Sequence, residues 1–460
     1  MNKLYSYELK ERKQNLFTPQ ILVKTKNNFQ LNWSKKDYKI NNNKKENNKL
    51  INAKNQIDKY YNKREWDRVK KLTNPFEMVH ITNKYNKRNS ISYYNPLSRS
   101  YFKMVEMIHE FLEEYIHQDL LLNKLRSVTQ LKVKGINTLH LAEGPGGFME
   151  AFLNYRKNKN DNYYGMTLTS TNKNIPGWYK SNIFINKHTN INIITGVDGT
   201  GNLYTVNNHY YLINRFGKNS MDIITGDGGF DFSVDFNMQE ELAQKLIYSQ
   251  IIIGFAMLKK GGTFICKFFD TFTNLTKEFI FLLNIFYEKV TIYKPYTSRL
   301  ANSERYIVCQ NYKGIDTLYL NELIQVLDIW NSIDNMNEMS KKKEIVNKKN
   351  FNRNSNPNYI TSISSIINIF NHTYNHTSSN EYLNKLYNEY ILDINAIINE
   401  FQDIQIENIN ETIDIIKYNQ SDKWFGYNCK NQIKIAIQWC KKYNVPHKTY
   451  LYNINYKSIY

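Results

Sequence analysis

The sequence predicts an α/β fold, a mostly parallel sheet with helices on both faces, joined to a helical C-terminal region. Three observations carry that prediction. Seven short, mostly apolar runs recur between residues 137 and 312, and helical-period stretches separate several of them. The first run leads straight into a Gly-rich turn and then a helix pattern. Beyond residue 358, apolar residues recur at helical spacing.

Residues 1–50 are polar and rich in Lys and Asn, which predicts a loosely attached basic arm. The sheet-forming domain is expected over 51–320. Its first strand is NTLHLA (137–142), followed by a Gly turn and the helix FMEAFLNYR (148–156). NYYGMTL (162–168), INIITGV (191–197) and MDIITGDGG (221–229) are the next strands. QEELAQKLIYSQIIIGFAML (239–258) has helical periodicity and ends before Lys259-Lys260-Gly261-Gly262, a helix stop. GGTFICKFF (261–269) is a strand. LTKEFIFLLNIFYEKV (275–290) begins as a helix and runs into the strand VTIYKP (290–295), and ERYIVCQNY (304–312) is the last strand. In such a sheet the chemistry lies at the carboxyl ends of the strands. The Asn- and Lys-biased stretch 331–358 is expected to be a linker. Residues 359–460 are expected to form a small helical region whose Tyr and Ile stripes are core.

A chain of 460 residues fits two or three domains, and 41% apolar residues suffice for a core. The 36 Tyr and 24 Phe argue against wholesale disorder. A formal net charge of +19 favours polyanionic partners, although a composition skewed to Asn, Lys, Ile and Tyr accounts for it equally well. Cys266, Cys309, Cys429 and Cys440 form no close metal-ligand pair, so buried thiols in a reducing compartment are expected. The start MNKLYSYELKERK lacks an apolar signal core, and runs such as IIIGFAML are too short to span a bilayer.

The turn Glu143-Gly144-Pro145-Gly146-Gly147 lets the backbone approach a ligand closely. No clean GxGxxG is present, and the second strand ends in MTLTS rather than in an acid, which counts against a nicotinamide site. Four ionisable residues sit near strand ends or a flanking helix: Lys103, Asp227, Lys267 and Glu304. Singly, a helix Lys is usually solvated, an Asp before Gly-Gly forms turns, and Glu304 beside Arg305 reads as a surface pair. Lys267 is harder to dismiss, because it interrupts an apolar strand and needs a partner or a purpose.

Eight strings appear in one order: NPFEMVH (74–80), SRSYFKM (98–104), AEGPGGF (142–148), GMTL (165–168), VDGTGNL (197–203), DGGF with Asn237 downstream (227–237), GGTFICKFFDTFT (261–273) and KPYTSRLANSERYIVC (294–309). With the Lys–Asp–Lys–Glu order around a Gly-rich turn, this set resembles the FtsJ-like RNA 2'-O-methyltransferases. Within them it is most similar to the cap-specific mRNA (nucleoside-2'-O-)-methyltransferases of eukaryotes and large viruses. The resemblance covers about residues 54–312.

It implies a Rossmann-like methyltransferase fold with a mostly parallel seven-stranded sheet, S-adenosylmethionine as cofactor, and the capped 5' end of mRNA as substrate. Lys103, Asp227 and Lys267 would carry catalysis, with Lys267 as proton acceptor and Glu304 completing the tetrad. Chemically, a Lys of lowered pKa could accept the 2'-hydroxyl proton, or a charged Lys could stabilise the developing oxyanion. Ala142, Glu143, Gly144, Pro145, Gly146, Gly147 and Phe148 would hold the cofactor, with Ser98 alongside and Asn202 and Leu203 near the adenine. Asn237 and Asn302 would contact the capped RNA, as would Lys54, Asn55, Gln56, Ile57, Asp58 and Lys70.

There are departures. The chain reads DGTGN (198–202) where the family commonly has DGDGD, Ser98 stands for an Asn, and Glu143 is a change in the Gly turn. No metal and no membrane are expected. A capping enzyme or RNA polymerase is a further candidate partner. The composition points to an AT-rich source such as a large DNA virus, implying a cytoplasmic site of action, or a nuclear one if the source is cellular. Trp66 and Trp178 are candidates only by location for stacking on a cap base, and ordinary packing is the leading reading for each. Two rival functions remain: ribose methylation of ribosomal or transfer RNA, and a non-catalytic RNA-binding subunit on the same fold.

Overall fold

The structure, a computed structural model, describes residues 6–8, 44–61, 65–81, 90–113, 115–116, 134–170, 177–229, 236–348 and 378–450. Its strands are β1 (Ser6–Glu8), β2 (Asn137–Leu141), β3 (Asn162–Met166), β4 (Ile191–Ile194), β5 (Met221–Gly226), β6 (Leu258–Phe268), β7 (Tyr287–Tyr293) and β8 (Arg305–Tyr312). The helices are α1 (Lys44–Tyr61), α2 (Glu65–Leu72), α3 (Ser100–Met107), α4 (Gly147–Arg156), α5 (Asn182–Lys187), α6 (Val206–Phe216), α7 (Gln239–Met257), α8 (Asn274–Phe286), α9 (Thr317–Lys348), α10 (Ser378–Lys417) and α11 (Ser421–Lys442).

The strands form one sheet in the order β1-β7-β8-β6-β5-β2-β3-β4. Strands β2 to β6 pair in parallel, and β8 runs antiparallel between β6 and β7. This is the mostly parallel, Rossmann-like sheet of seven strands that the sequence implies. An eighth strand, β1, comes from the segment read as a basic arm and pairs antiparallel with the outer edge of β7, covering backbone that would otherwise offer unpaired N–H and C=O groups. Most of that arm, residues 9–43, lies outside the described residues.

Both sheet faces are covered, which explains why central strands such as β5 are buried throughout rather than alternating. On one face, residues of α7, α8 and α9 pack with Tyr390, Ile394, Ile398 and Phe401 of α10. On the other, α3 and α4 pack with Phe425, Ala436, Trp439 and Cys440 of α11. A smaller cluster joins α1 to Ile409 and Ile413 of α10. The C-terminal helices are therefore part of the methyltransferase-like core and not a separate lobe. Each large apolar side chain buried this way contributes about 1.5–3 kcal/mol.

Helix α7 ends at Met257, just before Lys259-Lys260-Gly261-Gly262, as the helix stop predicts. Two bounds are corrected. Strand β6 begins at Leu258, and the segment forms an irregularity where the pairing jumps from Met221↔Leu258 to Ile223↔Thr263. The stretch expected as a linker from residue 331 continues α9 to Lys348. Lys245 pairs with Asp334 at 2.5 Å and Asn331 Nδ2 donates to Tyr204 O at 2.8 Å, so these polar residues tie the helix to the sheet domain. Residues 349–377, which include the rest of that stretch and the start of the helical region, lie outside the described residues. Cys266, Cys309 and Cys440 are buried free thiols, and Cys429 is half-buried. Among the described residues, no helix is long and apolar enough to cross a membrane.

Candidate active site

From β2 the sheet extends one way through β3 and β4 and the other way through β5, so a crevice opens at the carboxyl ends of β2 and β5. The Gly-rich turn fills one side of it. Gly146 has φ 105°, a left-handed conformation that favours Gly. A Cβ on Gly147 would overlap Ser98 Oγ and Ser100 Oγ, so the structure brings Ser98 onto the turn. The Glu143 carboxylate accepts from Phe148 N and so caps the start of α4. Burial drives the Glu143 carboxyl well above its ordinary range, and nearby Asp227 adds to the shift. His140 Nδ1 lies 3.3 Å from Glu143 Oε2, but burial holds that imidazole down at about 3, so it is neutral.

Trp178 packs against this turn, with Cζ3 3.3 Å from where a Cβ on Gly146 would sit. Its indole N–H and Glu143 Oε2 are buried without a hydrogen-bond partner among the described residues. Two buried polar atoms without partners beside a Gly turn fit a polar ligand that completes both.

In the DGTGN loop, Asp198 accepts from Thr200 N, Thr200 Oγ1, Thr205 Oγ1 and Asn208 Nδ2. Slight burial acts to raise the Asp198 pKa, but these donors outweigh it and hold the carboxyl below its ordinary value. Asp198 thus shapes the loop. Asn202 Oδ1 accepts from Tyr204 N at 2.9 Å, and Leu203 is buried in the core.

The four ionisable residues predicted from the sequence converge beside the turn, Asp227 close enough to act on Glu143. Lys103 reaches from α3 to Glu304, 2.6 Å away. Lys267, near the end of β6, lies 3.3 Å from Asp227 Oδ1 and donates to Asp227 O at 2.8 Å. Burial opposes a charged Lys267, but Asp227 and then Glu304 outweigh it and raise its pKa. Burial likewise acts to raise Glu304, yet Lys103 and Lys267 hold it down at about 2. Each pair therefore feels the other, and Lys267 stands as an ammonium group between Asp227 and Glu304. A Cβ on Gly229 would lie 3.1 Å from Lys267 Nζ, so a small residue there leaves the ammonium room.

Several supporting residues were not singled out from the sequence. Tyr306 OH donates to Asp227 Oδ1 at 2.8 Å, and Ser298 Oγ donates to Glu304 Oε1 at 3.0 Å. Lys294 Nζ donates to Asn302 O at 2.6 Å and Glu304 O at 2.8 Å. Burial lowers Lys294 to about 7 against the pull of Glu304. Glu77 is fully buried between Arg99 at 3.0 Å and Arg299 at 2.8 Å. Burial works to raise Glu77, but the two guanidinium groups hold it at about 2. Signals for these lay in KPYTSRLANSERYIVC and NPFEMVH, but a buried partner cannot be read from a string.

The residues expected to touch RNA divide. Asn55 and Asn237 meet at the surface, with Asn237 Nδ2 donating to Asn55 Oδ1 at 2.9 Å. Gln56, Asp58 and the Asn302 side chain are exposed. Lys54 turns inward to Asp270 at 2.5 Å, both side chains nearly dry, and Ile57 packs in the cluster under α1. Lys70 is half-buried beside Asp67, 2.5 Å away. Trp66 is a core residue of the same cluster as Ile57, while Trp178 lies on the Gly turn.

Residues 96–312 match the FtsJ-like methyltransferase family. Cap-specific mRNA (nucleoside-2'-O-)-methyltransferase 1 of Mus musculus is 31% identical over 265 residues, covering 55% of this chain and 29% of that protein. The protein of the same name from Xenopus laevis is 31% identical over 278 residues, covering 58% of this chain and 30% of its own. That of Trypanosoma brucei brucei is 32% identical over 194 residues, covering 41% of this chain and 50% of its own. The chain thus spans less than a third of the two animal relatives and half of the trypanosome one. The Gly turn and the whole Lys103–Asp227–Lys267–Glu304 set lie inside the matched segment, and the part of the chain that builds the sheet is similar to FtsJ-like methyltransferases.

Proposed function

We propose that this protein is an S-adenosylmethionine-dependent mRNA cap 2'-O-methyltransferase, acting on the ribose of the first transcribed nucleotide. The observation that carries the reading is the pair of Lys–carboxylate contacts beside the Gly turn, whose Glu143 feels the Asp227 charge. The cofactor supplies a methyl group activated on a sulfonium. The turn would hold its polar end, where Trp178 Nε1 and Glu143 Oε2 lack partners among the described residues. Lys103 and Lys267, held by Glu304 and Asp227, orient the 2'-hydroxyl and stabilise negative charge as its proton leaves. With its pKa raised, Lys267 stands charged in the free protein. It would act first as an oxyanion stabiliser, and a proton-acceptor role would require the ammonium to have lost its own proton to solvent beforehand.

The relatives' names support the cap as the substrate class, and the exposed Asn55–Asn237 pair and Asn302 support an RNA path along α1. A capping enzyme or polymerase remains the proposed protein partner. The AT-rich composition supports a large DNA virus as source and the cytoplasm as site of action.

The test uses labelled S-adenosylmethionine and short RNAs ending in a 7-methylguanosine cap, an unmethylated guanosine cap or a bare triphosphate. Nuclease digestion then locates the label. The expected result is label on the first ribose of capped RNA. Label at internal riboses would assign the protein to structural-RNA methylation. Tight RNA binding without label would make it a binding subunit.

A further inference from the structure

The helix that carries Lys103 also carries Glu106, one turn further along and fully buried. Five donors converge on its carboxylate. Tyr293 OH at 2.9 Å and Tyr296 N at 2.6 Å reach Oε2. Thr297 N at 2.8 Å, Thr297 Oγ1 at 2.6 Å and Trp439 Nε1 at 3.2 Å reach Oε1. A carboxylate offers about four lone-pair sites, so this acceptor is saturated. Four of the donors belong to the end of β7 and the loop after it. The next residue in that loop, Ser298, is the one that donates to Glu304. Glu106 therefore bolts the Lys103 helix to the loop that orients Glu304, and these are the two halves of one tetrad contact.

The fifth donor comes from α11, beyond the segment that matches the FtsJ-like family. The same helix and the residue after it engage the next turn of the Lys103 segment. Tyr443 OH donates to Glu110 Oε1 at 2.7 Å, and Lys442 Nζ lies 2.5 Å from the same oxygen. Glu110 falls within a π-turn, Ile108–Leu112, where the helix pattern is locally widened. Trp439 itself packs on Phe102, the neighbour of Lys103, with ring centroids 5.9 Å apart. Helix α11 is thus attached along the Lys103 helix at successive turns.

We propose that Glu106 is a positioning residue for the Lys103–Glu304 pair, and that Trp439 of the C-terminal helical region completes its clamp, making that region part of the catalytic unit. The inference rests on the methyltransferase reading above. Glu106 touches neither the Gly turn nor the orphaned groups at Trp178 and Glu143, so its loss should affect turnover and not cofactor binding.

The experiment compares full-length wild type, Glu106→Gln and Trp439→Phe. Methyl transfer to capped RNA gives kcat and KM, and calorimetric titration gives S-adenosylmethionine affinity. In Glu106→Gln an amide N–H faces the converging donors, and displacement of the pair on the order of 1 Å should cost roughly 100-fold in kcat. Trp439→Phe keeps the ring packing and deletes one donor, and about a 3- to 10-fold loss in kcat is expected, the size of one weak hydrogen bond. Cofactor affinity should be unchanged in both. If Glu106→Gln does not fold, Trp439→Phe decides. Unchanged kcat in the folded variants overturns the inference, as does a parallel loss of cofactor affinity, which marks general structural damage. Absence of transfer by the wild type instead removes the methyltransferase reading on which it depends.

Discussion

Replacing Lys267 by Met removes an ammonium while keeping the unbranched shape of the side chain. In the wild type that ammonium donates to Asp227 O at 2.8 Å and sits 3.3 Å from Asp227 Oδ1. A charge-assisted hydrogen bond of this kind contributes about 1.5–3 kcal/mol. A fully buried pair broken on one side would cost about 3–5 kcal/mol. Here the two side chains keep 12% and 13% exposure, and Tyr306 still donates to the orphaned carboxylate at 2.8 Å. The expected loss is therefore near the lower figure, about 2 kcal/mol in urea unfolding. The activity should fall much further. Lys267 supplies both a positioned donor and a positive charge beside the developing oxyanion, effects together accounting for roughly 1,000-fold, or about 4 kcal/mol of barrier. Single-turnover methyl transfer to capped RNA measures the chemical step, and calorimetry checks that cofactor still binds. A folded Lys267→Met protein that transfers within about tenfold of wild type would refute the assignment of this ammonium to the reaction.

Other predictions follow from the same geometry. Glu77→Ala leaves Arg99 and Arg299 facing one another without their shared carboxylate, so a stability loss of about 3–5 kcal/mol is expected in denaturant unfolding. Gly147→Ala pushes a methyl group into Ser98 and Ser100, and calorimetry should show weaker S-adenosylmethionine binding, with overpacking costing about 1–3 kcal/mol. Unchanged binding would separate Ser98 from the cofactor turn. The Glu304 carboxyl is held at about 2 against an ordinary 4.5, so its contribution to stability is complete above 4.5 and is lost as pH falls through 2. Acid titration of folded wild type and Glu304→Gln should therefore diverge over that window, with the variant flatter. Parallel curves would show that Glu304 is not ion-paired in solution.

The sheet was legible because its strands are short apolar runs and its helices keep a helical period, both local properties of the chain. The Gly turn was legible for a related reason, since glycines at a strand-to-helix junction answer a local backbone need. Other features escaped for physical reasons. Strand β1 is three residues in a polar arm, with no pattern of its own, and exists because β7 offers it an edge. Helix α9 passes through Asn- and Lys-rich sequence because Lys245 and Tyr204, distant in the chain, hold Asp334 and Asn331. Lys54 reads as a surface cation on α1 until Asp270, 216 positions away, is found beside it.

The identity and order of Lys103, Asp227, Lys267 and Glu304, and the strand ends that carry most of them, were determined by the sequence alone. Residue type and local period set those. Which lysine meets which carboxylate, and with what charge, was decided by the tertiary structure. Charge state depends on burial and on neighbours within a few ångströms, and those neighbours arrive from β5, β6 and β8 and from a helix in front of the sheet. The same holds for the C-terminal helices. Their apolar stripes announced that they pack, but only the folded chain shows Trp439 donating to Glu106 behind the tetrad. A stripe records that a face is buried and carries no information about what covers it.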